Sequence, residues 1–369
     1  MKVLFLTNIP APYRIDFFNE LGKHCDLTVW FEAKNESNRE WAIEGLGASF
    51  RYKFLPGFTL GLDKHVNFSV IRELNAEPFD VYILGCYSSP TEMMAIRWLK
   101  FKKKRFILNS DGGFVSEDKW LLRKLKTSLI SSADLWLSSG SNCTRYLSHY
   151  GADGRRIREY PFSSVALSEG DTRPLPEGEK EELKRREGLK GTVILSVGQF
   201  IHRKGMDVLL DAFARMRNAN ASLLLIGGGP EREAYEARIR DERIPNVVIK
   251  DFMQKRELLV YWKLADVFAM PTRFDIWGLV LNEALAFGLP VVSTTMAGAA
   301  HDLVREGENG FLVPPEDAAL LGERCERLAV DPELRQTFGA KSREIARGYT
   351  MERMVDSHLR IIGSFASGH

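Results

Sequence analysis

The sequence predicts an α/β fold of two doubly wound, Rossmann-like domains in tandem. Three observations predict it: the length, two successive series of short apolar runs alternating with amphipathic stretches, and a charged Gly- and Pro-containing stretch between the two series. A chain of 369 residues exceeds what one hydrophobic core supports, and its 44% apolar content argues for well-buried interiors.

The first series opens with VLFL (3–6), followed by the helix-like RIDFFNEL. DLTVWF, DVYILG (80–85), RFILNS (105–110) and DLWLSS (134–139) continue it. Apolar runs buried on both faces and separated by helical segments predict a parallel sheet with crossover helices. Between Ala166 and Lys190 large apolar residues become scarce, so this stretch is expected to be a linker. The second series follows at once with TVILSVG (192–198), SLLLIGGG (222–229), NVVIKDF (246–252), DVFAMP (266–271) and PVVSTT (290–295). The tail ERMVDSHLRIIGSF has helical amphipathic spacing. The expected organisation is an N-terminal domain over residues 1–165, a linker over 166–190, a second domain over 191–348 and a helix over 349–369, packing back toward the N-terminal domain.

Several function classes drop out. No apolar run approaches the roughly 20 residues needed to span a bilayer, and MKVLFLTNIPAPYR has no long apolar signal core, so a cytoplasmic protein is expected. Cys25, Cys86, Cys143 and Cys325 are scattered without Cys-x-x-Cys spacing and suggest neither disulfides nor zinc. The 51 basic side chains nearly match the 49 acidic ones, leaving no global nucleic-acid footprint.

In open parallel sheets the loops at the carboxyl ends of the strands carry function. The densest such segment is PTRFDIWGLVLNEALAFGLPVVST, residues 271–294. A helix is expected to begin near Gly278 and to close at Gly288 and Pro290. Its free N–H groups suit an anion such as a pyrophosphate, and Gly278 permits close backbone approach. Asp275 and Glu283, seven residues apart in the Asp-x7-Glu sense, bracket that anion site with two hydrogen-bond acceptors. The pattern fits a nucleoside diphosphate sugar, with Glu283 on vicinal hydroxyls and Asp275 further along the ligand. In SVGQFIHRKGMDVLLDAF (196–213), Val197 and Gly198 end a strand, and Arg203 and Lys204 sit in the loop before the next helix, where two cations would neutralise a leaving diphosphate. In LLLIGGGP (223–230), Gly227 and Gly228 fall at another strand end, where a simple turn is the alternative reading.

These segments resemble the family 4 retaining glycosyltransferases of the GT-B fold, marked by Glu-x7-Glu with a Gly-hydrophobic-Val core and by Glu-Ala-x-Ala-x-Gly-x-Pro-Val. The resemblance runs almost position by position from Pro271 to Val292. Asp275 stands where the family usually has glutamate, and Gln199 where it often has arginine. The resemblance implies a GT-B fold with two domains facing across a cleft. It implies that Asp275 contacts the transferred sugar, that the main-chain N–H groups of Gly278, Leu279 and Val280 meet the diphosphate, and that Glu283 binds ribose hydroxyls. Arg203 and Lys204 take the cationic work. Gly198, Gly227, Gly228 and Phe252 line the nucleotide side. UDP is the expected nucleotide, GDP the second choice.

The first domain lacks the family's Gly-Gly loop. It has TNIPAPYR instead, which places Arg14 at a helix start, either to meet an acceptor or donor phosphate or simply to cap the element. Asp111 in NSDGG (109–113) takes the place of a catalytic-site histidine and is expected to orient the donor sugar or acceptor hydroxyl, with an Asx turn as the alternative. His149 and His202 have no comparable context. RWLKFKKKRF (97–106) carries six cations and no acid. A helix over Lys119–Ile130 would gather Leu121, Leu122, Leu125 and Leu129 on one face, with Lys119, Arg123 and Lys126 opposite and Trp120 among them. That suggests either a peripheral contact with anionic membrane or a solvated basic face.

The expected reaction is transfer of a sugar from a nucleoside diphosphate to a hydroxyl of a glycan or lipid-linked acceptor with retained configuration, in cell-surface polysaccharide or glycoconjugate synthesis. No Asp-x-Asp pair occurs, so no metal and no further cofactor are expected. A sugar-nucleotide 2-epimerase and a catalytically decayed sugar-nucleotide-binding protein are the alternatives. A nucleotide-cofactor oxidoreductase needs G-x-G-x-x-G after the first strand, which NIPAPYR does not provide.

Overall fold

The computed structural model describes residues 1–36, 43–61, 63–166, 172–217 and 220–368. They form two compact units, one comprising 1–163 with 351–369 and the other 164–350.

In the first unit the elements follow the apolar runs in order: β1 (Lys2–Thr7), α1 (Pro12–Gly22), β2 (Asp26–Phe31), β3 (Arg51–Phe54), the hairpin β4 (Phe58–Leu60) and β5 (Lys64–Val66), α2 (Ser69–Ala76), β6 (Val81–Leu84), α3 (Pro90–Phe101), β7 (Ile107–Ser110), α4 (Trp120–Ile130), β8 (Leu135–Ser138), α5 (Ser141–His149) and β9 (Ile157–Glu159). Seven strands pair in the order β3-β2-β1-β6-β7-β8-β9. Every pairing is parallel, in registers such as Val3 with Leu27 and Ile107 with Leu135. The order reverses between β1 and β6, and a doubly wound sheet offers its binding crevice at such a reversal. Pro12 starts α1, where its missing N–H costs nothing, and Ser89 caps α3 by accepting from the Glu92 amide.

The second unit contains α6 (Glu177–Arg186), β10 (Thr192–Val197), α7 (Met206–Arg215), β11 (Ala221–Ile226), α8 (Arg232–Asp241), β12 (Val247–Lys250), α9 (Lys255–Leu264), β13 (Val267–Met270), α10 (Val280–Ala286), β14 (Val291–Thr294), α11 (Ala300–Leu303), β15 (Gly310–Val313), α12 (Ala318–Val330) and α13 (Pro332–Ala346). Its six strands are all parallel, ordered β12-β11-β10-β13-β14-β15, with the reversal between β10 and β13. Both sheets have fully buried central strands, which is why their sequences read as unbroken apolar runs rather than alternating ones.

The chain returns to the first unit in α14 (Met351–Ser367). This helix buries Met354, Val355, His358, Ile362 and Phe365. The His358 ring meets the edges of Phe17 at 4.7 Å and Tyr160 at 4.5 Å, and the Arg105 guanidinium lies 4.3 Å from the Phe365 ring centre. Two expectations need correction. The stretch 166–190 is not merely a linker, because α6 lies within it and belongs to the second unit, with Lys180 bonded to Asp266 at 2.5 Å. Residues 167–171 of that stretch lie outside the described residues. The unit boundaries fall after Ser163 and Thr350, a few residues from those expected.

Two outcomes follow from α14. Replacing the fully buried Ile362 by alanine should cost about 2–5 kcal/mol of stability, read as an earlier urea transition of the first unit. Burial holds the His358 imidazole down to about 4. A depressed histidine leaves the unfolded chain binding the extra proton, so its destabilising effect sets in as pH falls below about 6.5 and grows toward 4. The stability difference between wild type and His358→Leu should therefore shift in favour of the variant across that window in urea titrations, and a pH-independent difference would contradict it.

Candidate active site

In the second unit, the loops after β10 and β13 flank the strand-order reversal and are tied together along their backbones. The Arg203 carbonyl accepts from the Thr272 hydroxyl at 3.0 Å and from the Arg273 amide at 2.9 Å, while the Arg203 guanidinium donates to the Phe274 carbonyl at 2.9 Å. Gly205 makes the approach possible. Its φ of +69° is left-handed, and a Cβ there would sit 2.2 Å from the Pro271 carbonyl oxygen. Arg273 anchors the same junction with a bidentate pair to Asp207, both contacts at 2.7 Å.

This stitching brings Arg203 and Lys204 together with Asp275, which lies 71 residues beyond Lys204 in sequence. The Lys204 ammonium donates to Asp275 Oδ2, and the Arg203 guanidinium lies 3.7 Å from Oδ1. Asp275 is further fixed by its own backbone, whose amide donates to Met296 and whose carbonyl accepts from Gly298. The sequence reading thus has its two cations and its first carboxylate in one cluster. Both cations face Asp275.

Gly278 has φ +100°, and α10 starts two residues later than expected, at Val280, as a helix of 7 residues. Glu283 therefore stands in the first turn rather than deeper in the helix. The shift reflects Trp277, which is buried and donates to Asn282 at 2.9 Å across the helix start. The amides of Gly278 and Leu279 have no protein acceptor among the described residues. Gly288, with φ +71°, closes the helix as expected. Glu283 accepts from Ser164 Oγ at 3.1 Å, and the Ser164 carbonyl accepts from Lys255 at 2.9 Å. Sequence reasoning missed Ser164 and Lys255, because no local signal couples residues 119 apart.

The glycine-rich ends divide into two kinds. Gly198 has ordinary van der Waals room for a Cβ. At Gly227 a Cβ would lie 1.9 Å from the Gly198 carbonyl oxygen, and at Gly229 2.5 Å from that of Phe200, so these glycines serve the close passage of the β10 and β11 loops. Gly228 accepts from the Phe200 amide at 2.7 Å in the same passage. Phe252 is half-buried after β12. Neighbouring Lys250 is taken up by Glu187 at 2.6 Å.

In the first unit, Asp111 follows β7 and Arg14 lies in the first turn of α1. Arg14 does not face solvent to meet a phosphate, because it is 3% exposed and donates to Asp111 Oδ1. Asn109 Nδ2 and the Tyr160 hydroxyl donate to that same oxygen at 3.1 and 3.2 Å, leaving Oδ2 without a protein donor among the described residues. Burial alone would weaken the Arg14 guanidinium's hold on its proton, but Asp111 overrides it and the net shift is upward. Burial followed by the Asp111 charge lifts the Tyr160 phenol well above its ordinary value, so it stays a neutral donor. A second buried cluster joins the loops after β2 and β6. Burial pushes Glu32 up to about 7 despite a 2.6 Å bond from Ser89, and burial with the Glu32 charge holds Glu92 well above the usual carboxylate range.

Residues 179–345, within the second unit, match the family model described as Glycosyl transferases group 1. Among curated proteins the chain is 23% identical over 245 residues to O-antigen chain mannosyltransferase C of Escherichia coli, covering 65% of this chain and 63% of that protein. It is 31% identical over 173 residues to the lipopolysaccharide core biosynthesis glycosyltransferase LpsE of Rhizobium meliloti, covering 47% of this chain and 50% of that one. The chain therefore spans between half and just under two thirds of these relatives' lengths. Among solved structures, Anabaena Alr3699/HepE in complex with UDP and glucose superposes with a TM-score of 0.78 at 16% identity, covering 99% of this chain and all of that one. The lipopolysaccharide outer core galactosyltransferase WaaB does so at 0.73 and 17%, covering 99% of each chain. The fold is GT-B, with two Rossmann-like parallel-sheet domains.

The loop stitching makes a prediction. Gly205→Ala should cost about 1–3 kcal/mol through its left-handed backbone and the Pro271 carbonyl, seen as a lowered thermal midpoint. Gly198→Ala, with room for its methyl, should leave the midpoint unchanged.

Proposed function

We propose that this protein is a family 4 retaining glycosyltransferase that moves a sugar from a nucleoside diphosphate to a hydroxyl of a glycan or lipid-linked acceptor in cell-surface glycan synthesis. The single observation that carries it is the cluster of Lys204, Arg203 and Asp275 beside the start of the helix bearing Glu283, inside a segment matching a group 1 glycosyl transferase model. Cations there neutralise the diphosphate as it leaves, Asp275 engages hydroxyls of the sugar, and Glu283 engages the ribose. The C1–oxygen bond to the diphosphate breaks while the bond to the acceptor oxygen forms on the same face, and the acceptor proton passes to the departing diphosphate. No protein nucleophile is required.

UDP is favoured because HepE, a neighbour in fold, is described in complex with UDP and glucose. Metal independence is part of the reading, since the chain has no Asp-x-Asp clamp and two cations already meet the leaving group. On the acceptor side the reading keeps Asp111 as the group that orients the hydroxyl through Oδ2, and recasts Arg14 as the residue that holds Asp111 in place through Oδ1.

A thermal-shift screen of nucleotide sugars, followed by mass detection of product with bacterial-type lipid-linked acceptors, should give one preferred donor and a disaccharide or longer product. Lys204→Ala should lower turnover by about 10²–10³-fold, in line with the loss of one preorganised charge at a leaving group. Glu283→Ala should raise the donor KM, and excess EDTA should leave the rate unchanged. Near-normal rates in both variants would refute the assignment. Turnover of donor alone to an epimer would point to the isomerase reading instead.

A further inference from the structure

No described helix is long and apolar enough to cross a membrane. One surface of the first unit is nevertheless built unlike the rest. In α4 the core takes only Leu129 and Ile130. Trp120 and Leu121 are each 70% exposed, Leu122 46% and Leu125 40%. The four leucines share one face as expected, but only Leu129, at the carboxyl end of that face, is covered. At 100° per residue Leu121, Leu125, Leu129 and Leu122 lie within about a 100° arc, of which only Leu129 is covered, and Trp120 and Lys124 border that arc on its Leu121 side. The Lys124 ammonium sits 5.3 Å from the Trp120 ring centre, and Lys119 and Arg123 are also exposed. Lys126, the third cation of the expected polar face, is withdrawn into a 2.8 Å pair with Asp118 and lies over the Tyr150 ring.

Four large apolar side chains left in water on one and a half turns of helix are a concentration of apolar surface of the kind that marks an interaction site. We infer that the amino-terminal half of α4 is a membrane-docking surface, with Trp120, Leu121, Leu122 and Leu125 entering the interface of a bilayer and Lys119, Arg123 and Lys124 meeting anionic headgroups. Charge complementarity selects the occupant. Three exposed cations, Lys119, Arg123 and Lys124, accompany the apolar side chains, and of the two acids just ahead of the helix Asp118 is neutralised by Lys126, leaving Glu117 as the single exposed negative charge against them. A tryptophan stacked against a cation is suited to the headgroup level, where its ring is half in hydrocarbon and half in water.

Position in the fold adds a reason for it. In a parallel sheet the helix that follows β7 starts at the carboxyl edge of the strands, and the loop from Asp111 leads into α4 in eight residues. The docking surface therefore adjoins the edge on which the unit presents Asp111. The other basic run, Lys102 to Arg105, precedes β7 and lies at the opposite edge, and Arg105 is occupied by Phe365. It is not part of this surface.

The test is co-flotation of the full chain with vesicles of pure phosphatidylcholine and of phosphatidylcholine containing about 30% phosphatidylglycerol, with no sugar donor present. Its failure is thus separate from failure of the transferase reading. Binding to the anionic vesicles at low salt is expected, falling with added salt. Leu121→Ser with Leu125→Ser, and separately Arg123→Glu with Lys124→Glu, should each weaken it by at least ~tenfold, with thermal midpoints held because all four side chains are exposed. Lys102→Glu with Lys103→Glu should leave it nearly unchanged. No binding to anionic vesicles, binding insensitive to both α4 pairs, or a solution dimer that the Leu121→Ser, Leu125→Ser chain loses would each overturn the inference, the last by showing a second copy as the occupant.

Discussion

The geometry of the candidate site in the second unit depends on one ion pair, Lys204 with Asp275. Neither residue would be near the other without the backbone bonds that tie the β10 loop to the β13 loop, and those bonds need Gly205 in a left-handed conformation against Pro271. The pair sits where strand order reverses, the place where a parallel sheet leaves a gap between outward-diverging loops. It satisfies two charges that are each only partly exposed. A shorter acid at this position keeps the pairing tight. A glutamate would carry its carboxylate one methylene further into the crevice.

The two units solve a similar problem with different chemistry. The second offers cations and exposed amides at its switch point. The first instead concentrates three donors on one oxygen of Asp111, two of them, Arg14 and Tyr160, buried and held by aromatic neighbours and by His358 of the returning helix. Such an arrangement fixes a carboxylate in one orientation. It also explains why a helix at the far end of the chain matters to a loop at residue 111: α14 closes the apolar shell around that network.

Much of this was legible in the sequence, and the reasons for the rest are physical. The parallel sheets were readable because strands buried on both faces must be apolar throughout, and the grouping of Arg203, Lys204 and Asp275 was readable because they lie within two short stretches at neighbouring strand ends. What long-range packing decides was not readable. Ser164 reaches Glu283, and Tyr160 and Asn109 reach Asp111, across separations that leave no spacing pattern. Helix α6 resembled a linker because its stability comes from charge, with Lys184–Glu181 and Arg185–Glu182 pairs along one turn and Lys180 on Asp266, rather than from an apolar stripe. Arg14 was misplaced because sequence shows that a cation starts a helix but not which way it turns. Periodicity correctly grouped the leucines of α4, yet grouping says nothing about whether a neighbouring element covers them.

The most direct measurement is titration calorimetry of UDP and of the preferred sugar nucleotide into the full chain, comparing wild type with Lys204→Met and Asp275→Asn. If the ion pair is the hinge between free and donor-bound states, Lys204→Met weakens both ligands by at least ~tenfold. Asp275→Asn, which frees Lys204 but removes the sugar's acceptor, leaves UDP binding equal or tighter while abolishing the extra affinity of the sugar nucleotide. UDP affinity unchanged by Lys204→Met, or both ligands weakened equally by Asp275→Asn, would contradict the account.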